Sequence, residues 1–132
     1  MKKNFFKSKK TIKNIPKLKA DVFKIDKDIR FITIIDYKGN LLDSQHREGI
    51  NSILNKKESK KSLKQIIQFW KDNKILLKKF GHAKFAIVEY EKIKRIIIYL
   101  NEKELLYISA EPNCNHKKII SKIQNLDILT NS

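Results

Sequence analysis

Two groups of side chains in this 132-residue sequence have types and spacings that could do chemistry. Asp43, Ser44 and His46 fall within four positions, and Cys114 lies two positions before His116. A hydrolytic serine has to stand on a strained elbow beside a base with an oxyanion hole in reach, and no G-x-S-x-G frames Ser44. Strand alternation would put Ser44 and His46 on one side, where polar residues at a surface account for both. A structural zinc site takes four ligands in paired spacings, and Cys114 is the single cysteine. Neither G-x-x-x-x-G-K nor G-x-G-x-x-G occurs, so the common phosphate cradles are missing, and Gly39, Gly49 and Gly81 all fall at element boundaries. No catalytic residue, cofactor or metal ligand is assigned, and the chain is expected not to be an enzyme.

Charge is the other chemical signal. Thirty Lys and Arg against fourteen acids give a net +16, and half of it sits in the first twenty residues as Lys2, Lys3, Lys7, Lys9, Lys10, Lys13, Lys17 and Lys19 with no acid. Such a segment attracts nucleic acid, anionic lipid or an acidic partner, or is simply solvated. Lys56, Lys57, Lys60 and Lys61 form a second basic run. One cysteine excludes an internal disulfide framework and fits a reducing compartment; no stretch has signal-peptide or membrane-spanning character, so a soluble, cytoplasmic protein is expected.

The elements that must position these residues fit one domain. Residues 1–14 lack periodicity and read as a basic, flexible tail; residues 15–132 read as a single domain. Pro16 suits a first helical turn, and Leu18, Val22, Ile25 and Ile29 recur at helical spacing, which predicts a helix over 16–27. The run from Ile29 to Asp36 is apolar on both alternating faces and predicts a central strand. Gly39 turns it into a more polar strand over 41–47. A short helix is predicted over 50–54, then the main helix over 59–79, capped by Ser59 and ended at Gly81 in a left-handed conformation. Its buried face is Leu63, Ile66, Ile67, Trp70 and Leu77, while Phe69, Ile75 and Leu76 are apolar beyond that stripe. Strands over 84–90, 93–100 and 105–110 follow with short connections that favour antiparallel pairing. Asn115 caps a last helix carrying Ile119, Ile120 and Ile123. Arg47 and Glu48 at the strand-to-helix junction read as residues that pin it, and Tyr90, Tyr99 and Tyr107 on successive strands either line a small cavity or keep their hydroxyls at the rim.

This order resembles the roadblock domain of the profilin-like group, on the hairpin IRFITIIDYKGNLL above all. The segments KIDKDIRFITIID, REGI, FAIVEYEKIKRI and LLYISAEP are similar to a family of small uncharacterised proteins of ammonia-oxidising archaea, which brings no activity with it. The roadblock resemblance implies an α+β fold with a five-stranded antiparallel sheet in the order 2-1-5-4-3, the middle helix on one face and the terminal helices on the other. It also implies a homodimer through the middle helix and third strand, here with Phe69, Leu76, Phe85 and Ile87.

Three functions are therefore expected in decreasing order. The first is a non-catalytic regulatory or scaffold protein that dimerises and docks another protein, a small GTPase by fold analogy alone. The second is polyanion or nucleic-acid binding through the basic tail. The third is ligand sensing of the PAS-like kind, which requires a pocket between sheet and middle helix.

Overall fold

The computed structural model describes residues 10–12, 14–126 and 129–131. Its elements are β1 (Lys10–Ile12), α1 (Ile15–Ile25), β2 (Ile29–Asp36), β3 (Leu41–His46), α2 (Lys56–Asn73), a 3-10 turn at Lys74–Leu76, and α3 (Leu77–Phe80). Then come β4 (Phe85–Glu89), β5 (Lys94–Tyr99), β6 (Glu104–Ala110), α4 (His116–Gln124) and β7 (Leu129–Asn131). Strands β3-β2-β6-β5-β4 form one antiparallel sheet, which is the expected order 2-1-5-4-3.

Period-two alternation splits the sheet's apolar residues between two layers. Ile32, Ile34, Ile96, Ile98, Leu106 and Ile108 face Leu18 and Val22 of α1 and Ile119, Ile120 and Ile123 of α4. Ile35, Ile97, Tyr99, Leu105 and Tyr107 face Ile66, Ile67 and Trp70 of α2. The helices lie as the resemblance implied. The central strand β2 is lined on both faces because each layer needs it.

Local signals set the boundaries. Asp36 closes the β2–β3 turn by accepting from the backbone N–H of Lys38 (3.0 Å) and Asn40 (2.8 Å) and from the Asn40 amide (3.1 Å). Burial alone would raise its pKa, but these bonds outweigh it and hold the carboxyl below its usual range. Gly39, at φ 89°, supplies the positive φ the turn needs. Asn14 caps α1 and Asn115 caps α4.

Several boundaries differ from expectation. α2 begins after Asn55, not Ser59, because Asn55 and Glu58 form a reciprocal capping box. Residues 50–54 are an irregular link rather than a short helix; Ser52 Oγ donates to the Leu54 carbonyl at 2.7 Å, a local bond that competes with a helical turn. Gly81 has φ 79° but ψ −171°, so it ends α3 with a positive φ that is extended rather than left-handed helical. The β1–β7 ribbon, pairing Lys10–Ile12 with Leu129–Asn131, has no counterpart among the elements read from the sequence, and Ile12 packs against the α1/α4 core. Lys2, Lys3, Lys7, Lys9 and Lys13 of the basic tail lie outside the described residues, and Lys10 enters β1.

Candidate functional site

The two groups that invited catalytic readings are occupied by structure. Asp43 pairs with Lys19 at 2.8 Å, and that bond lowers its pKa. Ser44 and His46 are exposed on β3, with the His46 ring 4.4 Å from Phe31. Cys114 is buried, and burial pushes its thiol pKa up. His116 Nδ1 lies 3.1 Å from the ammonium of Lys94, which also donates to the Cys114 carbonyl. Among the described residues, no three His, Cys, Asp or Glu side chains converge to hold a metal ion. Nor is any helix there long and apolar enough to cross a membrane.

Arg47 has the junction role read from the sequence. Its guanidinium donates to the carbonyls of Ile29 (2.6 Å), Phe23 (2.8 Å) and Asp26 (2.7 Å) and lies over the Phe23 ring. It ties the end of β3 to the α1–β2 connection. Glu48 beside it is exposed.

The most exposed apolar surface lies at the other end of the sheet, where β4 is an edge strand. Tyr90 N–H donates to the Ile93 carbonyl and Tyr99 N–H to the Lys84 carbonyl. Antiparallel alternation then turns the N–H groups of Phe85, Ile87 and Glu89 outward, unpaired within the sheet. Ser62 and Phe69 are seven residues apart, so they share one flank of α2, and Leu76 follows in the 3-10 turn. Ser62 receives the Arg95 guanidinium from β5 at 2.8 Å, which turns that flank toward β4. Phe69 (49% exposed), Leu76 (38%) and Val88 thus belong to the β4 side of the α2 layer. Phe85 and Ile87 alternate to the opposite face, where Ile87 is partly buried against the α1/α4 core. Of the four expected interface residues, Phe69 and Leu76 thus lie on the α2 side of the sheet and Phe85 and Ile87 on the other. Ile75 and Phe80, 83% and 78% exposed, extend the apolar surface beyond Phe69 and Leu76.

A second stripe runs along α2. Lys57, Lys64 and Lys71 also recur every seven residues, two positions on from the apolar stripe and therefore about 200° around the helix. Lys60 and Lys61 adjoin them. Of the tail lysines, Lys17 pairs with Asp21 at 2.7 Å and Lys19 with Asp43, so both already have carboxylate partners.

Between the first half of α2 and the sheet lies a cavity of about 200 Å3. Phe31, Leu63, Ile66 and Tyr107 line its apolar part, and His46 and Ser109 are among its polar groups. Tyr107 therefore reaches a cavity, whereas Tyr90 is exposed beneath the Arg95 guanidinium.

Solved structures share this arrangement. The gliding protein MglB of Thermus thermophilus superposes with a TM-score of 0.68 at 11% identity, over 90% of this chain and 93% of that one. The chain has the roadblock fold. A Roadblock/LC7 domain from Streptomyces avermitilis matches with a TM-score of 0.64 at 8% identity, over 83% and 88% of the two chains. MglB of Myxococcus xanthus gives 0.63 at 13% identity, over 86% and 93%. No protein-family model matches the sequence, and no curated protein matches it significantly. At these identities the roadblock likeness is one of fold.

Proposed function

We propose that this roadblock-fold chain is a non-catalytic regulatory or scaffold protein that forms a homodimer and docks another protein. The observation that carries the reading is the uncovered β4 edge, with outward N–H groups at Phe85, Ile87 and Glu89, flanked by the Phe69–Leu76 stripe. An edge strand without proline, whose one charge is the terminal Glu89, is a template for another strand, and a two-fold axis normal to the sheet beside it would continue the sheet into a second copy. One of the similar solved structures is described as MglB with a tetrameric arrangement, which agrees with self-association in this fold. A small GTPase is the partner suggested by fold analogy. The narrower resemblance to proteins of ammonia-oxidising archaea adds no activity, and the single cysteine, which excludes an internal disulfide, fits a cytoplasmic location. Light scattering at moderate and high salt tests the reading: a dimer that persists at high salt supports an apolar interface, and a monomer at every concentration removes it.

A second reading is polyanion or nucleic-acid binding. The Lys57–Lys64–Lys71 stripe supports it, since it sets a row of cations on one flank of a rigid helix. Because that stripe lies on the flank of α2 away from Phe69, the two readings use different surfaces.

A further inference from the structure

A second cavity, of about 340 Å3, lies under the C-terminal end of α2 and reaches the surface beside the exposed Lys74 and Lys103. It falls within the range of small-molecule sites. Three aromatic rings, from Trp70, Tyr99 and Tyr37, wall it. Trp70 and Tyr99 pack 5.7 Å apart at 48°. Tyr37 is held by its backbone N–H, which donates to the Lys103 carbonyl at 2.8 Å.

Tyr99 is the unusual member. It is 1% exposed, and its hydroxyl has no partner in hydrogen-bond geometry. Burial pushes its pKa up to about 12, an effect the nearby Asn73 side chain offsets only in part, so the hydroxyl stays a proton donor at neutral pH. A buried donor without an acceptor is a cost that phenylalanine would not carry. The hydroxyl lies in the cavity wall beside Asn73, where it is the donor for an acceptor atom that enters between the two side chains. The mouth is positive: the ammonium groups of Lys38 and Lys74 lie 5.7 and 5.5 Å from the Tyr37 ring, and Lys103 adds a third. Glu102 is the opposing carboxylate, and His82 Nε2 faces it at 4.0 Å.

We infer that this cavity binds a small planar aromatic anion, with its ring against Trp70 and Tyr37, an acceptor atom taking the Tyr99 hydroxyl proton, and its negative group beside Lys74 and Lys103. The site is separate from the β4 edge and stands whether or not the chain dimerises.

Trp70 is the single tryptophan, so its fluorescence reports from the cavity wall. The full-length protein is titrated with 4-hydroxybenzoate and with its neutral amide, 4-hydroxybenzamide. A saturable change is expected with the acid, with the amide weaker. Tyr99→Phe keeps the ring and should weaken the acid about tenfold, the worth of one buried hydrogen bond. The double variant Lys74→Gln/Lys103→Gln, both at exposed positions, should weaken it roughly fivefold and abolish the preference over the amide. Absence of any saturable change up to roughly millimolar ligand means that solvent alone fills the cavity, which overturns the inference. Unchanged affinity in Tyr99→Phe, or equal binding of acid and amide, overturns it as well.

Discussion

Arg95 Nη2 donates to Ser62 Oγ at 2.8 Å, a bond from β5 that joins the packing of Ile66, Ile67 and Trp70 in fixing the helix on the sheet. The Arg95 guanidinium is held in turn over the rings of Tyr90 and Tyr107, at 5.7 and 5.5 Å. With Ser62 toward β5, Phe69, seven positions on along α2, lies on the same flank, toward the open edge of the sheet.

The interface prediction follows from that orientation. Phe69→Glu combined with Leu76→Glu is expected to convert a dimer to a monomer by light scattering. Both side chains are substantially exposed in the protomer, so the change should cost the fold no more than about 1 kcal/mol. Unaltered mass in the double variant would place the interface elsewhere, and the β4 edge alone would then have to carry it.

Arg47 offers a prediction about stability alone. Three carbonyls, of Phe23, Asp26 and Ile29, accept from one guanidinium, and an alanine would leave all three without that donor. Arg47→Ala is expected to lower unfolding free energy by roughly 2–3 kcal/mol, since hydrogen bonds from a charged donor are the stronger kind. Arg47→Lys should recover less than half, because an ammonium cannot span the same fork. Urea unfolding of the three proteins measures it; an alanine variant as stable as the parent would mean that water replaces the guanidinium without loss.

Much of the fold was legible because its signals are local and repeated. The alternation in β2, the buried positions Ile66, Ile67 and Trp70 of α2, and the turn at Gly39 each follow from spacing or from a required φ. The Asn55–Glu58 capping box was legible too, but the lysines after it hide the helix start, since apolar periodicity begins only at Leu63. The β1–β7 ribbon was not: three-residue strands in polar segments carry no alternation to detect, and their partners are more than a hundred residues apart. The cavities were beyond reach for another reason. That Tyr107 and Tyr99 would reach separate spaces under one helix depends on how α2 crosses the sheet, which no single strand encodes.

The lysine stripe predicts a salt-dependent interaction. If polyanions bind there, affinity for single- or double-stranded DNA should fall steeply between about 50 and 200 mM salt and show little sequence preference. Replacing Lys57, Lys64 and Lys71 together by Gln should reduce the slope of log K against log salt by about one per lost phosphate contact. Dimer mass should not move, since the stripe lies away from Phe69. Equal slopes in parent and variant would restrict any such binding to the tail.

Tyr99 links the second cavity to stability at alkaline pH. Its folded-state pKa is raised to about 12, so the neutral phenol is the form the fold prefers. That contribution is whole below pH 10, where the unfolded side chain is also protonated. As pH rises from about 10 to 12 the unfolded state ionises first, and the contribution is lost at up to about 1.4 kcal/mol per pH unit. Tyr99→Phe lacks this loss. At pH 8 the variant should be more stable than the parent by about 1 kcal/mol, because it removes a buried hydroxyl without a partner. The gap should then widen through pH 10 to 12, lysine titration being common to both proteins. Urea unfolding across this range decides the matter: a gap that stays constant with pH would show that the hydroxyl is solvated in the folded chain, and a variant less stable at pH 8 would show that it already has a partner.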